Sequence, residues 1–229
     1  MSAVLLLLFD IDGTLLLKAS HAHVLAMHDA LASVYGVTRP ARVEAAGRTD
    51  LEIARQIALL AGVPAVRFDE GIDDLREAVA VNYAARVPDD LSAHVAPGVP
   101  ELLEDLAARE GVLLALVTGN LEPVARLKLR AAGIGHFFAA GQGGFGSDRE
   151  DRTELPAIAR ARAGSRGAPH PRERTVVIGD TPRDIACARA DGVRVVGVAG
   201  GPYAPEALAD ADAVASDARS LLPAIDSLL

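Results

Sequence analysis

Three short apolar runs in this chain each stop at a polar residue. Val4 to Phe9 ends at Asp10, Val112 to Val117 ends at Thr118, and Thr175 to Ile178 ends at Gly179-Asp180. Unbroken apolar runs of this length, separated by helical patterns, mark parallel strands buried on both faces. A fourth run, Val193 to Val198, follows another helical stretch. Strands alternating with helices require right-handed crossovers and predict an α/β protein with a doubly wound parallel sheet. Such sheets gather ligands beyond the carboxyl ends of their strands, and here those ends carry Asp10, Thr118 and Asp180.

The stretch between the first two strands is too long for one crossover. From about Leu17 to His94 it holds three helical patterns and no strand. One is Ser20 to Tyr35. The second opens on the T-x-x-E capping box Thr49-Asp50-Leu51-Glu52 and runs to Leu60. The third spans about Asp69 to Ala85 and closes at Val87-Pro88. An all-helical insert at this point hangs over the strand ends as a cap. We therefore expect a core domain from residues 1–16 and 95–229 and a cap domain from residues 17–94.

Composition narrows the function classes. A chain of 229 residues can bury a sizeable core, and 50% apolar content excludes disorder. The formal net charge of −8 argues against nucleic acid and membrane surfaces as partners. The N-terminal apolar run has no basic flank and falls far short of the roughly 20 residues of a membrane span. A single cysteine, Cys187, excludes a disulfide framework and reads as a buried, inert thiol. These features predict a soluble, cytoplasmic protein, monomeric or homodimeric.

The chemistry concentrates at three places. In Asp10-Ile11-Asp12-Gly13-Thr14, two carboxylates two residues apart leave a buried strand facing the same way. Their repulsion and desolvation call for a cation, and a hard divalent ion such as Mg²⁺ suits oxygen ligands. Gly13 allows a tight turn, across which Thr14 can hydrogen-bond back. Thr118-Gly119-Asn120 precedes a helix opened by Glu122-Pro123, so a hydroxyl and exposed amides at a helix N-terminus form an anion cradle. Gly179-Asp180-Thr181-Pro182-Arg183-Asp184 adds two carboxylates four apart at a strand end. Asp184 can also serve as a first-turn acid, whereas Asp180 directly follows the strand and fits a metal set with Asp10.

These motifs, in this order, resemble the haloacid dehalogenase-like hydrolases, and nearly the whole chain takes part. Gly47-Arg48-Thr49-Asp50, Gly98 to Leu106 and the tail from Ala190 to Asp226 look like the phosphoglycolate phosphatase-like branch. The resemblance implies a Rossmann-like core with a helical cap and a Mg²⁺-dependent phosphatase acting on a small phosphorylated metabolite. It implies that Asp10 is the nucleophile forming an aspartyl-phosphate and Asp12 the general acid and base. Mg²⁺ would sit on Asp10, the Asp12 carbonyl and Asp180, supported by Asp184. Thr118, Gly119 and Asn120 would hold the phosphate. A β-phosphoglucomutase-like phosphoryl transferase would share these residues, and a silent phosphate-binding module is a further alternative. Asp12 disfavours dehalogenation, and a cap with no internal lysine, only Lys18 at its entrance, disfavours Schiff-base phosphonate hydrolysis.

One departure concerns the basic residue that the family places between its second and fourth strands. No lysine follows Lys128, and Arg149 and Arg152 stand in that segment instead. Arg152, just before the helix beginning near Thr153, is preferred for the phosphate; Lys128 is read as a surface lysine. Arg48, at a loop ahead of the capping box, could take a substrate carboxylate or second phosphate in a bidentate fork. His21, His23 and His28 form no metal pattern, though His21 or His23 could touch substrate at the cap edge. The acids from Asp69 to Glu77 read as a solvated helix face.

Overall fold

The structure, a computed structural model, describes residues 4–165, 167–201 and 203–228. Residues 1–3 and 229, the outer ends of the expected core segments, lie outside the described residues. The first strand, β1 (Leu5–Phe9), is wholly buried, and its side chains divide by parity. Leu5, Leu7 and Phe9 enter one apolar cluster, while Leu6 and Leu8 enter another. A strand with water on neither side has no polar face to keep, hence the continuous run.

After β1 the chain forms four helices, α1 (His21–Tyr35), α2 (Asp50–Leu60), α3 (Ala65–Glu70) and α4 (Ile72–Ala84). Then follow α5 (Val99–Ala108), β2 (Val112–Thr118), α6 (Glu122–Ala131), β3 (Gly144–Phe145) and α7 (Leu155–Ala163). The chain closes with β4 (Thr175–Gly179), α8 (Pro182–Asp191), β5 (Arg194–Val198), β6 (Ala213–Ala215) and α9 (Ala218–Asp226). All strand pairs are parallel, in the order β3-β2-β1-β4-β5-β6. Residues of α5, α6 and α9 cover one face of the sheet, and residues of α7 and α8 the other. This is the doubly wound α/β sheet expected. The edge strands β3 and β6 add to the four expected strands; at two and three residues they are too short to leave an apolar run.

The helical stretch departs from expectation in one place. Its third pattern breaks at Gly71, separating α3 from α4, and the Tyr35 ring packs where a Gly71 Cβ would stand. The Thr49 side chain caps α2, accepting from Glu52 N at 3.1 Å, which is half of the expected box; the Glu52 side chain turns to Arg48 instead. The helices share an apolar cluster with Leu121 and Val124 of the sheet-flanking α6, so the two layers are packed together. The chain leaves and returns side by side, Leu17 N donating to His94 O at 2.7 Å and Ala96 N to Leu15 O at 3.0 Å. The acids at 69, 70, 73, 74 and 77 are exposed. Among the described residues no helix is long and apolar enough to cross a membrane.

Candidate active site

Neighbouring strands bring the first acids together. Phe9 of β1 pairs with Ile178 of β4, so Asp10 and Asp180 emerge side by side one and two residues later. Gly13 turns the chain at φ 98°, and the Thr14 hydroxyl donates to Asp180 Oδ1 at 3.0 Å. The bond expected back across the turn is thus made to the neighbouring strand end, which that turn faces. Thr181 caps α8 reciprocally with Asp184, its N–H and hydroxyl donating to Asp184 Oδ2 at 2.9 and 2.7 Å. Arg152, from the turn before α7, is buried and reaches across: its Nη2 lies 2.5 Å from Asp184 Oδ1 and 3.2 Å from Asp10 Oδ1. Arg149 turns away to Glu154, with its side chain 59% exposed.

Asp10, Asp180 and Asp184 are buried and offer oxygens within 4.8 Å of one another. Fully ionised, three carboxylates against one guanidinium would leave two negative charges in excess. Burial, only partly opposed by Arg152, pushes Asp10 up to about 6; burial with the charges of Asp10 and Asp184 pushes Asp180 up to about 8. Asp180 Oδ2 is buried with no hydrogen-bond partner, and a Cβ at Gly13 or Gly201 would overlap it. An orphaned hard oxygen, three carboxylates against one guanidinium and glycines keeping the approach clear fit a divalent cation such as Mg²⁺. Asp184 differs, since both its oxygens are already engaged by Arg152 and Thr181.

Asp12 lives in a different environment. Lys128 Nζ donates to Asp12 Oδ1 at 2.9 Å and Oδ2 at 2.7 Å, and to Asn120 Oδ1 at 2.8 Å. Asn120 Nδ2 donates to Asp12 Oδ2 at 2.8 Å and Ser20 Oγ to Asp12 Oδ1 at 3.0 Å. Against the cost of burial, Lys128 and then Asn120 hold the Asp12 carboxyl down at about 2. The surface-lysine reading of Lys128 is therefore corrected: the residue is fully buried. Its place on α6 explains this, because Val124, Ala125, Lys128 and Leu129 form the helix's buried face. A lysine four residues after a core valine was the available signal. The Asn120 side chain braces Asp12, and its N–H lies 3.3 Å from Thr118 Oγ1. Thr118 is buried beside it, and Gly119 packs so tightly on the Arg48 carbonyl that a Cβ would collide.

These groups floor a cavity of about 550 Å³ roofed by α1 and α2. Arg48 lines it, with its guanidinium held by Gln56 and by Glu52 at 3.4 Å. His23, also in the lining, bonds Asp50 at 3.1 Å and meets the Tyr83 ring edge-on; Asp50 in turn accepts from Leu121 N at 2.8 Å. This tie from α2 to the start of α6 was not anticipated from the sequence, where Asp50 figured only within the capping box and the Gly47-Arg48-Thr49-Asp50 segment. His21 is exposed and outside the cavity lining, while His28 lies within it. Cys187 is buried against the Asp184 carbonyl, and burial pushes its thiol up to about 12, as suits an inert group.

A parallel sheet with buried acids at its carboxyl ends and a helical roof after its first strand defines a class of α/β enzymes. The profile of haloacid dehalogenase-like hydrolases matches residues 7–189. A phosphoglycolate phosphatase of Rhodospirillum rubrum is 34% identical over 65% of this chain, a match spanning 60% of that protein. One of Agrobacterium fabrum is 27% identical over 96% of this chain and 91% of its own length. Among solved structures, β-phosphoglucomutase of Clostridium difficile superposes with a TM-score of 0.70 at 17% identity, covering 98% of this chain and 96% of its own. CbbY of Rhodobacter sphaeroides, in complex with phosphate, does so at 0.60 and 22%, covering 98% and 100%. The chain belongs to the haloacid dehalogenase-like hydrolase family.

Proposed function

We propose that the protein is a Mg²⁺-dependent phosphatase that cleaves a small phosphorylated metabolite in the cytoplasm through an aspartyl-phosphate. The observation that carries this is the division of labour between two acids two residues apart. Asp10 sits among Arg152, Asp180 and Asp184, while Asp12 has a cation of its own in Lys128.

Asp10 attacks phosphorus: its carboxylate oxygen forms the new bond as the bond to the ester oxygen breaks. Asp12 gives its proton to the departing oxygen. In the second half it takes a proton from the water that attacks phosphorus, releasing phosphate and restoring Asp10. The donors around Asp12 suit this second half, which needs a carboxylate; the first half requires that carboxylate to gain a proton beforehand. Thr118 and Arg152 orient the phosphoryl oxygens. Asp10, the Asp12 carbonyl and Asp180 would hold Mg²⁺, with Asp184 fixing Arg152 behind them; when bound, the ion neutralises phosphoryl charge. Residues 17–94 act as the cap that closes over the substrate and excludes water. The names of the Rhodospirillum and Agrobacterium relatives support a phosphoric monoester hydrolase.

The test is phosphate release from a panel of phosphorylated metabolites with Mg²⁺, and with EDTA as control. Metal-dependent release from several esters is expected. Positional isomers without free phosphate would mean a mutase, and tight phosphate-analogue binding without turnover would mean a silent module.

A further inference from the structure

The floor of the cavity is polar, but its roof is not. On α1, Val24 and Met27 face the cavity three residues apart, and on α2, Ile53 and Ile57 do so four apart. Leu16 and Leu17 continue the surface where the chain leaves the sheet. Of this six-residue apolar wall, four residues come from the roofing helices, and Leu16 and Leu17 join them to the turn that carries Asp12, where Leu16 bridges to Asp12. Of the charged groups near it, Asp50 is tied to His23 and Leu121 N, while Arg48, on the loop before α2, bonds Gln56 and lies 3.4 Å from Glu52 with its buried Nε making no hydrogen bond. Lys18 and His28 also line the cavity, but Lys18 is exposed and neither lies among the α2 residues of the wall.

We propose that the alcohol half of the substrate is an uncharged apolar group, alkyl or aryl, longer than the two-carbon acid of phosphoglycolate. This rests on the phosphatase reading, since the phosphate must sit at Asp10 for the organic half to reach this wall. A carboxylate pressed on Met27, Ile53 and Ile57 would lose its hydration to side chains that carry no donor of their own. An alkyl chain there gains with each methylene it buries. The cavity also falls within the 300–1,000 Å³ typical of sites for drug-sized ligands, where a two-carbon acid would leave most of the wall uncovered.

The experiment measures kcat/KM for ethyl, butyl and hexyl phosphate and for phosphoglycolate. In parallel, calorimetry measures the binding of ethyl-, butyl- and hexylphosphonate, which cannot be hydrolysed. We expect kcat/KM to rise about fourfold per methylene until the wall is covered, with hexyl phosphate ahead of phosphoglycolate. Phosphonate affinity should rise in step, with an increasingly negative heat capacity of binding. Val24→Ser and Ile53→Ser should flatten both slopes while circular dichroism stays unchanged. A flat series with phosphoglycolate ahead would overturn the apolar substrate and leave the phosphatase standing. No turnover of any ester, with phosphonate affinity still rising along the series, would overturn the phosphatase and keep the wall. Flat binding without turnover would remove both.

Discussion

Asp10 and Asp12 leave the same strand two residues apart, yet their surroundings drive them in opposite directions. Asp10 is pushed up to about 6 because it is buried, must share Arg152 with Asp184, and feels the charges of Asp184 and Asp12. Against its burial, Asp12 is held at about 2 because Lys128 brings its charge and two hydrogen bonds and Asn120 adds another; Ser20 also donates to it. Spacing alone therefore does not assign roles to a pair of acids; the count of cations on each side does. The Asp10 side is short of positive charge and asks for a metal. The Asp12 side is balanced already.

The hardest blow to this asymmetry falls on the nucleophile. Asp10→Asn should keep the fold and cut turnover by about four orders of magnitude or more, since an amide neither attacks phosphorus nor balances a cation. A variant retaining a tenth of wild-type phosphate release would exclude the covalent route. Next, Arg152→Ala removes the one cation on that side and should cost roughly 3 kcal/mol of transition-state stabilisation, while Arg149→Ala stays near wild type. Reversed severities in kcat/KM would shift the role to Arg149.

On the other side, Lys128→Met should lower kcat roughly a hundredfold, within the range that positioned acid–base groups contribute. Asp12 would lose the cation that keeps it ionised, so the acid limb of the pH–rate profile should move to higher pH. An unmoved limb would mean that Lys128 only fills space.

The two sides also predict opposite pH dependence of stability. Asp10 and Asp180 have folded-state values near 6 and 8, above the 3.8 of an unfolded aspartate. Their contribution is complete below about 3.8 and is lost as pH rises through those values. Asp12, held near 2, contributes above 3.8 and loses that only as pH falls toward 2. Metal-free protein should therefore lose Tm between pH 5 and 8.5, by roughly 2–4 °C per kcal/mol for a chain of this size. Added Mg²⁺ should restore more at pH 8 than at pH 5, and Asp180→Asn should flatten the trend. A Tm that holds or rises across this window without metal would refute the charge deficit.

How much of this could be read in the sequence follows from what each feature depends on. The sheet core was legible because a strand buried on both faces must be apolar throughout, as Leu5–Phe9 is. Asp10, Asp180 and the Thr118 hydroxyl were legible because they sit at the ends of such runs. The partners of Asp12 were not. Lys128 reaches it from 116 residues away, and only the packing of α6 decides whether a lysine on its inner face meets apolar surface or a carboxylate. Arg48 illustrates the same limit: its place beside the cavity could be anticipated from the loop, but its engagement with Gln56 and Glu52 depends on the helix that follows.

The smallest effect tests the share of the helical stretch after β1 in the Asp12 network. Ser20 stands at the N-cap of α1, where a serine hydroxyl ordinarily accepts from a helix amide and is worth about 1 kcal/mol. Here it makes no such bond and donates to Asp12 Oδ1 instead. Ser20→Ala thus removes one of Asp12's donors without uncapping a helix. Because Lys128 and Asn120 remain, kcat should fall only about threefold to tenfold, and Tm should move by less than about 2 °C. A drop of several degrees with unchanged kcat would place the hydroxyl on the helix end in solution. Asp12 would then be held by Lys128 and Asn120 alone, and that helical stretch would have no hand on it.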